Sequence, residues 1–280
     1  MKEKLKIGIL LNNYFIPSWQ YQILNDIENS DYAEIVLVIR NDSIFSTGRK
    51  KMNFPNRLIH LVEIADRAIF KTKPDYKLKK DVSGLFQDVH ELEINTGNAL
   101  YPDVFSEEEI DTIKVINPDI ILKFGFHILS EEILKLPKFG IWTYSIDIGK
   151  ESSSPETGFW EVVRKIPVTN SALGILTADN QGMEVIINSR ESTCQYSINI
   201  NRDSISWRSA LFAPRIMAGL YKYGEGYLNT LQKRFTSVNI RSDLSLSPDS
   251  FSNAAGSIFR YSAAVAKSII KKLLFTDAFS

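Results

Sequence analysis

The chain has 280 residues, of which 44% are hydrophobic and 24% charged, so a sizeable hydrophobic core can form. Lys and Arg together number 33, as do Asp and Glu, and this balance argues against broad nucleic-acid binding, which needs an excess of cationic side chains. A single cysteine, Cys194, excludes an internal disulfide and a cysteine-based zinc site, and it fits a reducing compartment.

The N-terminal segment favours a cytoplasmic protein. An apolar run from Ile7 to Leu11 follows three lysines, but Asn12 and Asn13 end it too early for a signal peptide. No apolar run in the sequence approaches the length needed to cross a bilayer, so no transmembrane segment is predicted.

The first predicted unit is a strand, a helix and a second strand. Lys6 to Leu11 is an apolar segment typical of a central strand, and a helix follows from Pro17 to about Ser30. Ala33 to Ile39 is the second strand, which predicts a right-handed parallel unit. The turn Asn12-Asn13-Tyr14 has no Gly-rich phosphate loop, so a dinucleotide-binding fingerprint is absent.

The segment between this unit and Pro118 contains two predicted helices. Leu58 to Phe70 has helical spacing through Leu61, Ile64, Ala65 and Ala68, and His90 to Ile94 follows as a short strand. Ser106 and Glu109 have capping-box spacing, which predicts a helix that starts there and stops at Pro118.

The segment from Pro118 to Glu184 organises the chain, because it alternates strands and helices in the manner of an α/β sheet, whose ligands lie at the carboxyl ends of strands. Its predicted strands are residues 120–124, 140–144, 172–176 and 185–188, and its helices are residues 130–136 and 158–165. A polar loop, residues 145–155, follows the second of these strands, and the turn 177–183 joins the last two.

The remainder of the chain is predicted to be mostly helical. We expect an edge strand at Gln195–Ile200, helices over residues 204–223 and 225–234, and an amphipathic helix over residues 251–275. These patterns divide the chain into an α/β domain, residues 1–203, and a helical extension, residues 204–280. The last helix can pack on its own domain, or it can contact a membrane surface or a partner.

Residues 118–186 resemble the catalytic core of the folate-dependent formyltransferase family. The resemblance rests on an ordered set of features: LKFGFHIL at the end of a strand, EEILKLPKFG as a helix and turn, GFWEVV as a helix and ILTADNQGMEVI as a strand and turn. It covers about a quarter of the chain strongly and residues 1–225 loosely. It implies a Rossmann-like three-layer formyltransferase fold with a mostly parallel sheet and a helical C-terminal tail. The GFWEVV helix is most similar to formyltransferase-like proteins of surface-glycan synthesis.

The resemblance also implies a chemistry, because the family uses an Asn, a His and an Asp to transfer a formyl group from 10-formyltetrahydrofolate to an amine. Counting along this sequence places Thr143, Ser145 and Gln181 at those three positions. A hydroxyl can donate a hydrogen bond but cannot act as a general base near neutral pH without a partner, and Gln is not a carboxylate. Asp147 and Asp179 are nearby acids that could replace the missing groups if the register is shifted by two.

The predicted catalytic positions are therefore Thr143, Ser145 and Gln181, and no metal site is indicated. The predicted substrate-binding residues lie around them and are Phe124, Gly125, His127, Asp147, Lys150 and Asp179, although His127 also fits a structural role. Two interpretations stay open. The protein is either a transferase with altered catalytic residues that acts in amino-sugar or surface-polysaccharide modification, or an inactive carbohydrate-binding or partner-docking domain. The basic C-terminal barrel of methionyl-tRNA formyltransferase has no counterpart in this sequence, so a sugar or other small-molecule substrate is expected.

Overall fold

The computed structural model describes residues 2–41, 54–94, 105–126, 129–145, 157–177, 182–235, 256–263 and 265–267. Its strands are β1 (Leu5–Leu11), β2 (Phe15–Pro17), β3 (Ala33–Asn41), β4 (Lys79–Asp81), β5 (His90–Ile94), β6 (Ile120–Lys123), β7 (Ile141–Tyr144), β8 (Val168–Leu176) and β9 (Met183–Ser192). Its helices are α1 (Ser18–Glu28), α2 (Phe54–Ile69), α3 (Glu107–Ile116), α4 (Glu131–Leu134), α5 (Phe159–Val163), α6 (Ile198–Ala210), α7 (Phe212–Tyr223) and α8 (Glu225–Phe235). Residues 256–263 and 265–267 are also helical.

The main sheet has seven strands in the order β5-β3-β1-β6-β7-β8-β9. The first five pair in parallel, whereas β8 and β9 run antiparallel to their neighbours. β1 lies inside the sheet because its apolar side chains can be buried on both faces, and Ile9 and Leu10 are both fully buried. The predicted mostly parallel sheet is confirmed.

Helices cover both faces of this sheet and form three layers. On one face, Trp19 of α1 and Ile216 of α7 share a hydrophobic core with Ile9. On the other face, Ile113 of α3 shares a second core with Leu10. Successive side chains of a strand point to opposite faces, so β1 contributes to both cores. The predicted three-layer Rossmann-like arrangement is thus confirmed, together with helices in the C-terminal part.

The boundaries of α3 follow from local chemistry that the sequence predicted. The backbone N–H of Ser106 donates to Glu109 Oε2 at 2.6 Å, and the backbone N–H of Glu109 donates to Ser106 Oγ at 3.3 Å, which completes the capping box. Asn117 ends the helix in the left-handed conformation, with φ 52°, directly before Pro118.

A third hydrophobic core joins α2, α5 and the C-terminal helical residues. Val62 of α2, Trp160 of α5 and Val265 pack together there. The predicted α2 helix is confirmed, but the four residues that gave its helical spacing, Leu61, Ile64, Ala65 and Ala68, are all exposed. The helix is rotated relative to the orientation that its most regular apolar spacing indicates, because its packing partners come from the distant C-terminal part of the chain.

The start of α6 corrects one sequence prediction. Gln195–Ile200 does not form an edge strand, because the Ser197 side chain accepts a hydrogen bond from the backbone N–H of Ile200 and caps α6. The helix predicted over residues 204–223 is two helices, α6 and α7, that meet at Leu211. The expected division after residue 203 falls inside α6.

Candidate functional site

The strand order places a switch point between β1 and β6. From β1 the chain builds outward through β3 and β5, and it then returns to the other side of β1 as β6. In open α/β sheets, ligands bind in the crevice at the carboxyl ends of the strands beside such a point. Four of the predicted site residues lie at this edge, namely Phe124 and Gly125 after β6, and Thr143 and Ser145 at the end of β7.

Asn12 links the carboxyl ends of β1 and β6. Its Oδ1 accepts a hydrogen bond from the backbone N–H of Phe126 at 2.8 Å. Gly125 permits this close approach, because a Cβ added there would lie 2.6 Å from Asn12 Cγ and 2.9 Å from the Asn12 backbone N. Gly125 is therefore required by the packing of the turn itself.

Phe126 has φ 66°, a left-handed conformation that a bulky residue rarely adopts. Its ring is buried and stacks on Phe105, with ring centroids 6.2 Å apart. Two contacts therefore fix Phe126: its ring stacks on Phe105, and its backbone N–H donates to Asn12. A strained residue fixed in this way beside a switch point marks the turn as a candidate functional site.

Three aromatic rings line the same edge on the α1 side of the sheet. Phe124 stacks on Tyr144 at 6.2 Å, and Trp19 meets Tyr144 edge-on at 5.3 Å. Trp19 and Tyr144 are buried, whereas Phe124 is partly exposed and can contact a ligand. Aromatic walls with a few fixed polar groups are typical of small-molecule sites.

Thr143 and Ser145 point to the same face of the sheet, as residues two apart in a strand do. Thr143 is 1% exposed and Ser145 is 3% exposed. The backbone N–H of Ala172 donates to Ser145 Oγ at 2.8 Å, and the backbone N–H of Ser145 donates to the Ala172 carbonyl at 2.8 Å. Ser145 thus fastens the end of β7 to β8.

Gln181 lies outside the described residues, as do His127, Asp147, Lys150 and Asp179, so their roles stay predictions. The described flanks of the Gln181 turn can be placed. The backbone N–H of Thr177 donates to the Gly182 carbonyl at 3.2 Å, and Thr177 lies five residues along the chain from Ala172, the partner of Ser145. At the rise of a strand, five residues separate Thr177 from Ala172 by about 16 Å. Because β8 is antiparallel to β7, Thr177 is displaced from Ser145 toward the amino end of β7.

The opposite edge of the sheet carries a separate cleft of 290 Å³. It is lined by residues at the amino ends of β1 and β6 and by the α7–α8 junction, including Lys4, Asp119, Lys138 and Tyr221. It contains none of the predicted site residues.

Among the described residues, no group of three or more His, Cys, Asp or Glu side chains is placed to hold a metal ion. Within the same ranges, no helix is long and apolar enough to span a membrane.

A buried polar network joins α2 to the start of α6. Asp66 Oδ2 accepts hydrogen bonds from Ser197 Oγ at 3.1 Å and from the backbone N–H of Asn199 at 2.6 Å. Tyr261 donates to Asp66 Oδ1. Burial raises the pKa of Asp66, and these hydrogen bonds oppose the rise. The network serves packing, because every group in it is engaged with another part of the protein.

The GFWEVV segment forms α5 and also has a structural role. Gly158 precedes the helix with φ 89°, and its backbone N–H donates to Glu161 Oε2 at 3.0 Å. Burial raises the pKa of Glu161. Phe159 and Trp160 lie in the third core. The segment that carries the most family-specific part of the resemblance therefore lies in the interior.

Asn12 is the site residue that the sequence did not reveal. In the sequence, the turn after β1 served only to exclude a dinucleotide-binding fingerprint, because it lacks a Gly-rich loop. The available signal was an Asn directly after a central strand, but its partner Phe126 is 114 residues away in the sequence.

No protein-family model matches the sequence, and a search of curated proteins found no match. Among solved structures, the chain is similar to phosphoribosylglycinamide formyltransferase from Brucella melitensis, with 13% identity, 80% of this chain and 97% of that chain covered, and a TM-score of 0.48. It is also similar to glycinamide ribonucleotide transformylase 1 from Geobacillus kaustophilus, with 11% identity, coverages of 78% and 100%, and a TM-score of 0.49. A formyltetrahydrofolate deformylase from Pseudomonas putida gives 11% identity, coverages of 76% and 64%, and a TM-score of 0.43.

Proposed function

We propose that this chain is a formyltransferase-fold protein that binds an amino sugar or a related small molecule at the carboxyl ends of β1, β6 and β7, in surface-polysaccharide modification in the cytoplasm. The observation that carries the proposal is the turn after β6. There, Asn12 holds the strained Phe126 beside the partly exposed ring of Phe124. A turn built in this way at a switch point, with an aromatic wall and fixed polar groups, suits ligand binding.

The described residues do not fit 10-formyltetrahydrofolate as a formyl donor in the way the family uses it. Formyl transfer requires a hydrogen-bond donor toward the developing oxyanion and a group that can take a proton from the attacking amine. The resemblance assigns Thr143 and Ser145 to two of the three catalytic positions, but both side chains are buried, and Ser145 Oγ accepts from the Ala172 backbone N–H. This observation favours binding without formyl transfer over normal family chemistry.

A second candidate function is an altered transferase. The sequence supports it, because Asp147 follows the end of β7 by three residues and supplies a carboxylate that Ser145 lacks. In this version, the attacking amine nitrogen forms a bond to the acyl carbon and Asp147 or Asp179 accepts the amine proton. The bond from that carbon to the leaving atom of the donor then breaks, and the carboxylic acid returns the proton to the leaving atom. The donor is then of the acyl or one-carbon class.

One experiment separates the two functions. The full chain is incubated with 10-formyltetrahydrofolate and a panel of nucleotide-linked amino sugars, and formylated product and direct binding are measured in parallel. Saturable binding of a sugar without product supports the binding function. Product that is lost in Asp147→Asn or Asp179→Asn supports the altered transferase. Product formation that survives Ser145→Ala and Gln181→Ala would overturn the placement of catalytic roles at those two positions. Neither binding nor product for any sugar would overturn both functions.

A further inference from the structure

The outward side of α2 is an apolar surface that nothing in the described protein covers. Leu61 is 62% exposed and Ile64 is 53% exposed, and the two side chains are neighbours at helical spacing. Ala65 and Ala68, on the same side, are exposed as well. The inward side of the helix packs against the protein, because Val62 lies in the third core. We call the exposed side the outer face of α2, defined by Leu61, Ile64, Ala65 and Ala68.

Positive charge surrounds this outer face. Arg57 lies one turn before Leu61 on α2, and Lys71 follows two residues after the helix ends; both are exposed. From Arg57 to Lys80 the sequence has seven Lys and Arg and three Asp and Glu, a difference of plus four in a chain whose net charge is zero. The three acids are each engaged with other residues: Asp66 is buried, Glu63 pairs with Arg202, and Asp75 pairs with Arg67.

We propose that the outer face of α2 binds an anionic lipid surface, with Leu61 and Ile64 inserted at the headgroup boundary and Arg57 and Lys71 over the phosphates. An amphipathic helix with apolar side chains between cations is the pattern of helices that lie in a membrane interface. Clustered Lys and Arg strengthen such binding through the negative potential of the leaflet. This inference concerns a surface separate from the proposed site at the ends of β1, β6 and β7, and it stands without it.

A lipid surface fits this face better than a protein partner does. Two large apolar side chains and two alanines form a narrow stripe, which is small beside the roughly 800 Å² that each partner of a stable protein interface buries. A bilayer needs no matching pocket, and it offers negative charge along the whole length of the helix. The cations at both ends of α2 can therefore act together.

Flotation of the full chain with lipid vesicles tests the proposal. One set of vesicles contains phosphatidylcholine alone, and the other contains roughly 30% phosphatidylglycerol, an anionic lipid. We expect binding to the anionic vesicles only, and a loss of binding as salt is raised. The double variants Leu61→Ser/Ile64→Ser and Arg57→Glu/Lys71→Glu should each lower binding by about tenfold or more. Because all four side chains are exposed, the far-ultraviolet circular dichroism and the thermal transition should stay unchanged.

Val115→Ser is the matched control. Val115 is 85% exposed on α3, a helix whose first turn carries three glutamates, so its loss removes exposed apolar surface from an acidic setting and should leave binding unchanged. The proposal is overturned if the wild-type chain does not float with anionic vesicles, if it binds neutral vesicles equally well, or if both double variants bind as the wild type does. Binding of an acidic amphipathic peptide at this face, without vesicle binding, would assign the face to a protein partner and also overturn it.

Discussion

The hydroxyl of Tyr261 donates a hydrogen bond to Asp66 Oδ1 at 2.7 Å, across 195 positions of sequence. The same hydroxyl accepts a hydrogen bond from the backbone N–H of Ile198 at 3.2 Å. Tyr261 is 7% exposed and Asp66 is 1% exposed. One pair of buried side chains thus ties the C-terminal helical residues to both α2 and the first turn of α6.

Replacing Tyr261 by Phe should destabilise the protein while keeping its shape. The change leaves the buried Asp66 oxygen and the Ile198 N–H each without this partner, and we expect the free energy of unfolding to fall by about 1–3 kcal/mol. Urea unfolding measures this loss. The control is Tyr223→Phe. Tyr223 is 64% exposed, so this change should alter the free energy of unfolding by no more than about 0.5 kcal/mol. Equal stability of the Tyr261 and Tyr223 variants would mean that the buried pair contributes nothing.

Glu161 should make stability fall as the pH rises above its ordinary pKa. Burial raises its pKa in the folded state above 4.5, so between that value and the raised pKa the folded protein holds a proton that the unfolded chain has lost. The contribution of this group is therefore present at low pH and is lost as the pH rises through the folded pKa. Each unit by which the pKa is raised corresponds to about 1.4 kcal/mol.

The variant Glu161→Gln isolates this effect. Its amide oxygen can still accept from the Gly158 backbone, but it does not titrate. Measured by urea unfolding, the stability of the variant relative to the wild type should increase between about pH 4 and pH 7. A difference that is the same at both pH values would contradict the raised pKa.

Gly125→Ala should disturb the turn that carries the candidate site. The added Cβ collides with Asn12 and breaks the hydrogen bond to Phe126, so we expect a loss of about 1–3 kcal/mol in the free energy of unfolding and weaker binding of any ligand at this edge. Gly226→Ala is the control, because apart from its chain neighbours and the backbone of its own helix no heavy atom lies within 4 Å of the position of its Cβ. If the two variants are equally stable, the close approach of Asn12 does not require Gly125.

Asn12→Ala completes a double-mutant cycle with Gly125→Ala. The two residues contact one another, so their effects on unfolding should not add, and the double variant should lose less stability than the sum of the single variants. Full additivity would show that the two positions act independently.

Ser145→Ala should lower stability, because it leaves the buried backbone N–H of Ala172 without its acceptor. We expect a loss of about 1–3 kcal/mol in the free energy of unfolding, measured with urea. Ser192→Ala is the control, because it removes an exposed hydroxyl at the end of β9 and should stay within about 0.5 kcal/mol. A stable Ser145→Ala variant would argue that this hydroxyl is kept for another purpose, such as ligand contact.

Local patterns predicted much of the secondary structure. Ser106 and Glu109 form the predicted capping box, since both partners of each hydrogen bond lie within one turn. The continuous apolar segments form inner strands. Both faces of such a strand are apolar, and both can be buried only between two layers of helices. Gln195–Ile200 was predicted wrongly, because the cap at Ser197 and the acceptor Asp66, which favour a helix start, compete with a short apolar alternation.

The candidate site was predicted in part. Phe124, Gly125, Thr143 and Ser145 share one sheet edge, as expected of residues at the ends of neighbouring parallel strands. What each does there was beyond the sequence. Ser145 accepts from Ala172 and Gly125 accommodates Asn12, and neither contact can be deduced from the spacing of residues along the chain.

By itself, the sequence determined most of the strands and helices and the mostly parallel sheet, because periodicity, capping and breaker residues act over a few neighbouring positions. Only the tertiary structure decided which side of α2 is buried, which hydroxyl is engaged and where Asn12 finds its partner. These outcomes depend on groups that are distant along the chain, such as Ala172 for Ser145, Phe126 for Asn12 and Tyr261 for Asp66. Whether a side chain is buried or hydrogen-bonded depends on which residues the fold places next to it. The packing of the helical layers on the sheet determines those neighbours.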